Sequence, residues 1–99
     1  ILSFSKDGEK VSVNINADGE AKAVTADGVF VAIGLKPDNE AFKENVELEY
    51  GYVKADETCL TSAEGIFTAG DCRTKSIRQI ATAVSDGATA ALAAISYIG

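Results

Sequence analysis

Residues 65–81 read Gly65-Ile66-Phe67-Thr68-Ala69-Gly70-Asp71-Cys72-Arg73-Thr74-Lys75-Ser76-Ile77-Arg78-Gln79-Ile80-Ala81. The first seven, apolar and ending in Gly-Asp, are predicted to form a short buried strand. A loop follows, and then one strong helix. Ile77, Ile80, Ala81, Val84, Ala88, Ala91, Leu92 and Ile95 recur at helical spacing and make a continuous apolar stripe. Ser76 with Gln79 three residues on has the form of a capping box. Gly87 weakens a helix interior by about 1 kcal/mol relative to alanine, and close packing on a sheet is its expected compensation. Strand, loop and helix together put a carboxylate at the carboxyl end of a buried strand, where open α/β sheets bind ligands.

Working outward, residues 29–33 (Val-Phe-Val-Ala-Ile) are apolar at every position, the pattern of a strand covered on both faces. Residues 34–39 follow as a loop, in which Asp38 or Asn39 is placed to cap a short helix over residues 40–44. Residues 46–53 alternate and are broken by Gly51, which predicts a strand pair or a bulge. The first third reads as an antiparallel meander. Asp7-Gly8 and Asp18-Gly19 supply hairpin turns, and Val11, Val13 and Ile15 alternate with polar residues to give one buried face. Two buried-type strands and one helix are too few to close a doubly covered parallel sheet, so the remaining strands are expected in sequence outside these residues. The start at Ile1, without an initiator methionine, gives the same expectation of a piece of a longer chain.

Composition narrows the chemistry. The chain has 99 residues, one domain at most, with 46% hydrophobic and 24% charged residues. Nine basic against fifteen acidic residues give a net charge of −6, which argues against nucleic acid or an anionic membrane as partner. The chain has no histidine, which excludes a His-based triad or a His-ligated metal. Two cysteines cannot make a four-Cys zinc site. They suit a reducing, cytoplasmic compartment, and each reads as a free buried thiol. No apolar run is long enough for a membrane span. Glu44, Glu47 and Glu49 read as a solvated face, and Tyr50 and Tyr52 as edge packing.

Two places remain for a ligand. Asp71 is suited to accept hydrogen bonds from the hydroxyls of a ribose or ribityl chain, with Gly70 admitting that chain to the backbone; the alternative is that Asp71 caps its own loop. The helix start, residues 76–80, offers free N–H groups and a positive dipole end to an anionic oxygen, with Arg78 adding charge; the alternative is a helix capped by Ser76 and nothing more.

The stretches "GIFTAGDCR", "IRQIATAVSDGATAA" and, upstream, "DGVFVAIGLKPDN" resemble the carboxyl-terminal part of the low-molecular-weight thioredoxin reductases, within the pyridine nucleotide–disulfide reductase superfamily. The resemblance covers residues from about 26 to the end and is looser before that. It implies part of an FAD/NAD(P)-binding Rossmann-like α/β fold: the meander and buried strands packed on one long carboxyl-terminal helix. Residues 1–26 would close the NADPH domain, and residues 27–99 would belong to the FAD domain. Asp71 would accept from the ribityl chain and Gly70 make room for it. The backbone N–H groups of Gln79 and Ile80 would face the flavin pyrimidine edge, where negative charge develops on reduction. Arg78 would lie near the flavin or shape the domain contact, and residues 34–39 would act near the interdomain hinge. A parent enzyme, a cytoplasmic homodimer, would pass reducing equivalents from NADPH to FAD, to a Cys-x-x-Cys pair and to thioredoxin.

Departures from the pattern matter equally. Cys59 and Cys72 stand thirteen positions apart and are not that redox pair. No Gly-x-Gly-x-x-Gly phosphate loop occurs for FAD or NADPH. The isolated chain is therefore expected to lack catalytic residues and turnover, and to hold FAD poorly. Two other readings stay open: a sister flavoprotein, such as a peroxiredoxin-reducing subunit or a ferredoxin–NADP reductase, and a flavin-free module that oligomerises through unpaired strands.

Overall fold

The computed structural model describes residues 1–99. The chain divides into two compact units, Ile1–Gly34 and Leu35–Gly99.

The first unit is a three-stranded antiparallel meander of β1 (Ser3–Asp7), β2 (Lys10–Ala17) and β3 (Glu20–Ala26), in the order β1-β2-β3. Its register pairs Ser5 with Ser12 and Val13 with Val24. The second hairpin turns at Asp18-Gly19, both residues at positive φ (55° and 86°), the requirement of a type I′ turn. The Asn16 side chain accepts the Gly19 N–H at 2.9 Å and braces that turn. The expected buried face of β2 is only half-buried, because no second layer covers the sheet within this unit.

Residues 29–33 are not a strand. They are irregular and exposed, with Phe30 and Ile33 fully open to solvent. A strand is held by its neighbours' hydrogen bonds, and no strand of this chain pairs with these residues.

The second unit starts from a 3-10 turn over Glu40–Phe42 and a small hairpin, β4 (Leu48–Glu49) and β5 (Tyr52–Val53). Tyr50 and Gly51 turn that hairpin at positive φ, 51° and 83°. Gly51 is needed twice over, since a Cβ there would also meet Pro37 Cγ at 2.8 Å. The expected strand over residues 65–71 is reduced to one antiparallel bridge, Phe67 with Leu60, followed by a 3-10 turn over Gly70–Cys72. Val53 bridges Arg73 in parallel, and the Thr74 N–H donates to the Val53 carbonyl at 2.9 Å.

The chain ends in α1 (Ile80–Ile98), nineteen residues rich in alanine, the strongest helix former. Its cap is not Ser76. Gln79 is the N-cap, in a capping box with Thr82, whose hydroxyl accepts the Gln79 N–H at 3.1 Å. Ser76 and Ile77 lie before the helix. The predicted apolar stripe is not the packed face: Ile77, Ile80, Val84, Leu92 and Ile95 are 59–86% exposed. The chain packs instead on the face of small residues around Asp86, with Ala83, Ala90 and Ala93 at least half-buried. Gly87 is exposed with open space where a Cβ would stand, so it serves no close contact here. Toward the other end of α1, Tyr97 meets Phe67 edge to face, with ring centroids 6.0 Å apart.

The core of this unit is small and polar. Val46, Val53 and Cys59 are its buried apolar residues, while Asn39, Thr68, Arg73 and Asp86 are its buried polar ones. Arg73 is the largest side chain to be fully buried. Every buried side-chain nitrogen and oxygen has a hydrogen-bond partner, as burial of polar groups demands.

Candidate functional site

Three side chains from three segments, Asp86, Arg78 and Asn39, converge on the turn at Gly70–Cys72. On its amino side, the Gly70 N–H donates to Asp86 Oδ2 at 2.9 Å. On its carboxyl side, Arg78 Nε donates to the Asp71 carbonyl at 3.1 Å, and a second Arg78 nitrogen to the Arg73 carbonyl at 3.2 Å. The Asn39 amide donates to the Cys72 carbonyl at 3.1 Å and to the Gly51 carbonyl at 2.9 Å, tying turn and hairpin together. The backbone is thus engaged on both flanks. The Asp71 side chain is exposed, with no hydrogen bond from the protein.

Asp86 and Arg73 form the centre of this support. Arg73 Nε and one terminal nitrogen reach Asp86 Oδ2 and Oδ1 at 2.7 and 2.9 Å, a two-point pairing. Lys75 Nζ adds a contact to Oδ2 at 2.8 Å, and Arg73 also meets Glu57 at 3.1 Å. The hydrogen bonds from Arg73, then those from Lys75, hold the Asp86 carboxyl well below the usual carboxylate range, against the opposing effect of burial. The Asp86 carboxylate in turn raises the Arg73 guanidinium further. Cys59, fully buried, places its Sγ 3.5 Å from the Asp86 carbonyl, and burial pushes its thiol pKa up.

A depressed folded pKa makes Asp86 a source of stability that is complete above its unfolded value, 3.8, and is lost as pH falls below it. Stability is therefore expected to fall between about pH 4 and the acid limit in the native protein. Asp86→Asn should flatten that fall while lowering stability at pH 7. Urea midpoints at pH 7, 5 and 3 check this, and parallel profiles for the two proteins would contradict it.

The five residues singled out from sequence differ in how far the protein itself engages them. Gly70 is buried, and a Cβ on it would point at Ala83 of α1 at 3.6 Å. Its φ of 81° is what calls for glycine. Arg78 is engaged by carbonyls and lies 3.8 Å over the Tyr52 ring, a cation–π contact, whereas Tyr50, expected like Tyr52 to pack at an edge, is 93% exposed. The Gln79 N–H is taken by Thr82. Ile80 opens the helix, and its N–H has no intrahelical acceptor, as for every first-turn residue. Asp71 and the Ile80 N–H are the groups left open. Cys72 is exposed rather than buried; its thiol donates to the Ala69 carbonyl at 3.3 Å, and both cysteines are free. Beside the turn is an apolar cavity of about 390 Å³ whose lining includes Asn39, Phe42, Val53, Phe67 and Cys72 but not Asp71.

Sequence reasoning missed Asp86, Lys75 and the bridging role of Asn39. One signal for Asp86 was present: it is the only charged residue in the nineteen of α1. A lone charge in an otherwise uncharged helix reads as paired and buried.

No cluster of side chains suited to a metal ion occurs, and no helix is long and apolar enough to cross a membrane. The profile of the pyridine nucleotide-disulphide oxidoreductases matches residues 1–87. A protein of the Clostridium pasteurianum rubredoxin operon is 47% identical over 92% of the chain, and the Treponema pallidum thioredoxin reductase 48% identical over 81%. These alignments cover 30% and 26% of those proteins. Among solved structures, the Lactococcus lactis thioredoxin reductase superposes with a TM-score of 0.72 at 33% identity, over 96% of this chain and 33% of that one. The T. acidophilum thioredoxin reductase gives 0.72 at 37% identity, over 94% and 32%. The chain thus spans about a third of the length of the proteins it matches.

Proposed function

The chain belongs to the pyridine nucleotide-disulphide oxidoreductase family, and from that membership we propose that it supplies the ribityl and flavin-edge part of the FAD site in a thioredoxin-reductase-like flavoprotein. Residues 1–26 would then end the NADPH domain, and residues 27–99 the FAD domain. Bound FAD supplies two-electron transfer between NADPH and a disulfide. The chain's own residues position the cofactor and hold charge near it.

One observation carries the reading. Asp71 presents an exposed carboxylate, free of protein donors, on a turn whose backbone is pinned on both flanks. An acceptor with open lone pairs on a fixed support suits the hydroxyls of a polyol chain. Ile80 stands at the first position of α1, where the helix dipole amounts to about half a positive charge and favours negative charge on a ring edge. Arg78 and Gly70 shape the turn rather than touch the cofactor, and the Gln79 N–H serves the helix cap. Relatives named thioredoxin reductases support thioredoxin as the disulfide partner. A homodimeric, cytoplasmic parent follows from the same family likeness, and two free thiols agree with a reducing compartment.

The test is FAD affinity in the full-length flavoprotein, read by flavin fluorescence and the visible band. Asp71→Ala removes hydrogen bonds to a charged acceptor, each worth about 1.5–3 kcal/mol, and is expected to weaken FAD about 10- to 100-fold. An unchanged affinity would remove Asp71 from the site. The 99-residue chain alone is expected to be colourless as purified.

A further inference from the structure

Taking as its basis the reading that Asp71 meets a ligand hydroxyl, we infer that Asp86 is the positioning residue of that site: held by Arg73 and Lys75, it fixes the Gly70 N–H and so sets the direction in which Asp71 leaves the turn.

Asp86 is 5% exposed, and its carboxylate accepts four hydrogen bonds. Oδ2 accepts from Gly70 N at 2.9 Å, Arg73 Nε at 2.7 Å and Lys75 Nζ at 2.8 Å, while Oδ1 accepts from Arg73 at 2.9 Å. Two cations thus fix an oxygen whose remaining bond goes to the peptide N–H two bonds from the Gly70 carbonyl carbon. Glycine has a wide choice of φ and ψ, and the peptide entering Gly70 would otherwise be free to rotate. An acceptor at a fixed place selects the conformation at φ 81°. The peptide plane leaving Gly70 carries the Asp71 Cα, so that choice propagates directly to the Asp71 side chain.

The other side-chain supports act beyond this point. Arg78 and Asn39 hold the carbonyls of Asp71, Cys72 and Arg73. Asp86 holds the amino side, and it does so from α1, sixteen positions away in sequence. The same side chain therefore ties the helix to the turn that carries Asp71. Buried ion pairs are a weak source of net stability, and conformational specificity is one reason for keeping them. A buried carboxylate with one bond to a ligand-bearing turn fits that use.

A double-mutant cycle on FAD affinity in the full-length flavoprotein tests this. Asp71→Ala and Asp86→Ala are each expected to weaken FAD about tenfold or more. The double variant should be no weaker than the worse single by more than about threefold, because the residues act as one unit. Asp86→Asn keeps an acceptor for the Gly70 N–H and should stay within about threefold of the native protein, which separates positioning from charge. Asp86→Glu keeps the charge for Arg73 and Lys75 but shifts the acceptor off Gly70; it tests the same point where Asp86→Ala does not fold, with about tenfold weaker binding expected. Native affinity in folded Asp86→Ala or Asp86→Glu, beside a weakened Asp71→Ala, would overturn the inference and leave the Asp71 reading standing. So would full multiplication of the two factors in the double variant. An Asp71→Ala protein with native affinity would remove the ligand reading and this inference with it.

Discussion

Arg73→Met is expected to destabilise the unit Leu35–Gly99 by about 3 kcal/mol. The guanidinium is fully buried and makes hydrogen bonds to Asp86, Glu57 and the Thr74 carbonyl. Methionine matches much of its volume but offers no donor, so Asp86 is left buried with Lys75 and the Gly70 N–H alone. Breaking a buried pair by removing one partner costs about 3–5 kcal/mol, and Lys75 holds the loss to the lower end of that range. A domain of this size has on the order of 5–15 kcal/mol in all, and this unit has only three buried apolar residues to share the load. The expected urea midpoint shift is on the order of 1 M or more. Lys43→Met is the control: its pair with Glu40 is exposed at 3.6 Å, and its loss should be below about 0.5 kcal/mol. Equal shifts for the two variants would show that the buried network does not hold this unit together.

The isolated chain is expected to show no NADPH-dependent disulfide reduction above the uncatalysed rate. Dithiol chemistry needs an accessible thiolate and a second thiol to resolve the mixed disulfide. Cys59 is fully buried and its thiol pKa is pushed up, mainly by burial, which disfavours the nucleophilic form. Cys72 is exposed but stands alone. No glycine-rich phosphate loop for a dinucleotide occurs in the sequence. NADPH oxidation followed with thioredoxin and added FAD checks this. Turnover that survives repurification and is lost on Cys72→Ser would overturn it, and would make Cys72 a redox centre in its own right.

What the sequence showed and what it hid follow one division. Local chemistry was legible. Asp18-Gly19 and Tyr50-Gly51 turn their hairpins because both residues of each pair reach positive φ. The alanine-rich helix is in place. Burial was not legible, because it depends on what lies alongside. Residues 29–33 have a strand's composition and no neighbour to pair with. The apolar row through Ile80, Val84, Leu92 and Ile95 has the right period, yet the face that packs in this chain is the one carrying Asp86. The network that anchors that face joins residues 57, 73, 75 and 86. No periodicity reports such a link; only the solitary charge in α1 hinted at it. At the site, the family likeness singled out Gly70 and Asp71 but not the residues that support their turn.

The turn at Gly70–Cys72 separates shape from chemistry. Its course is written at positions 39, 78 and 86, through contacts to backbone atoms that any residue at position 71 also possesses. The unpaired carboxylate that the turn exposes is written at position 71. Selection can therefore revise the offered group without rebuilding the scaffold, and can tune the scaffold without touching the group. A protein lineage that needed a different partner for this turn would have a single codon to explore, with the rest of the architecture already in place.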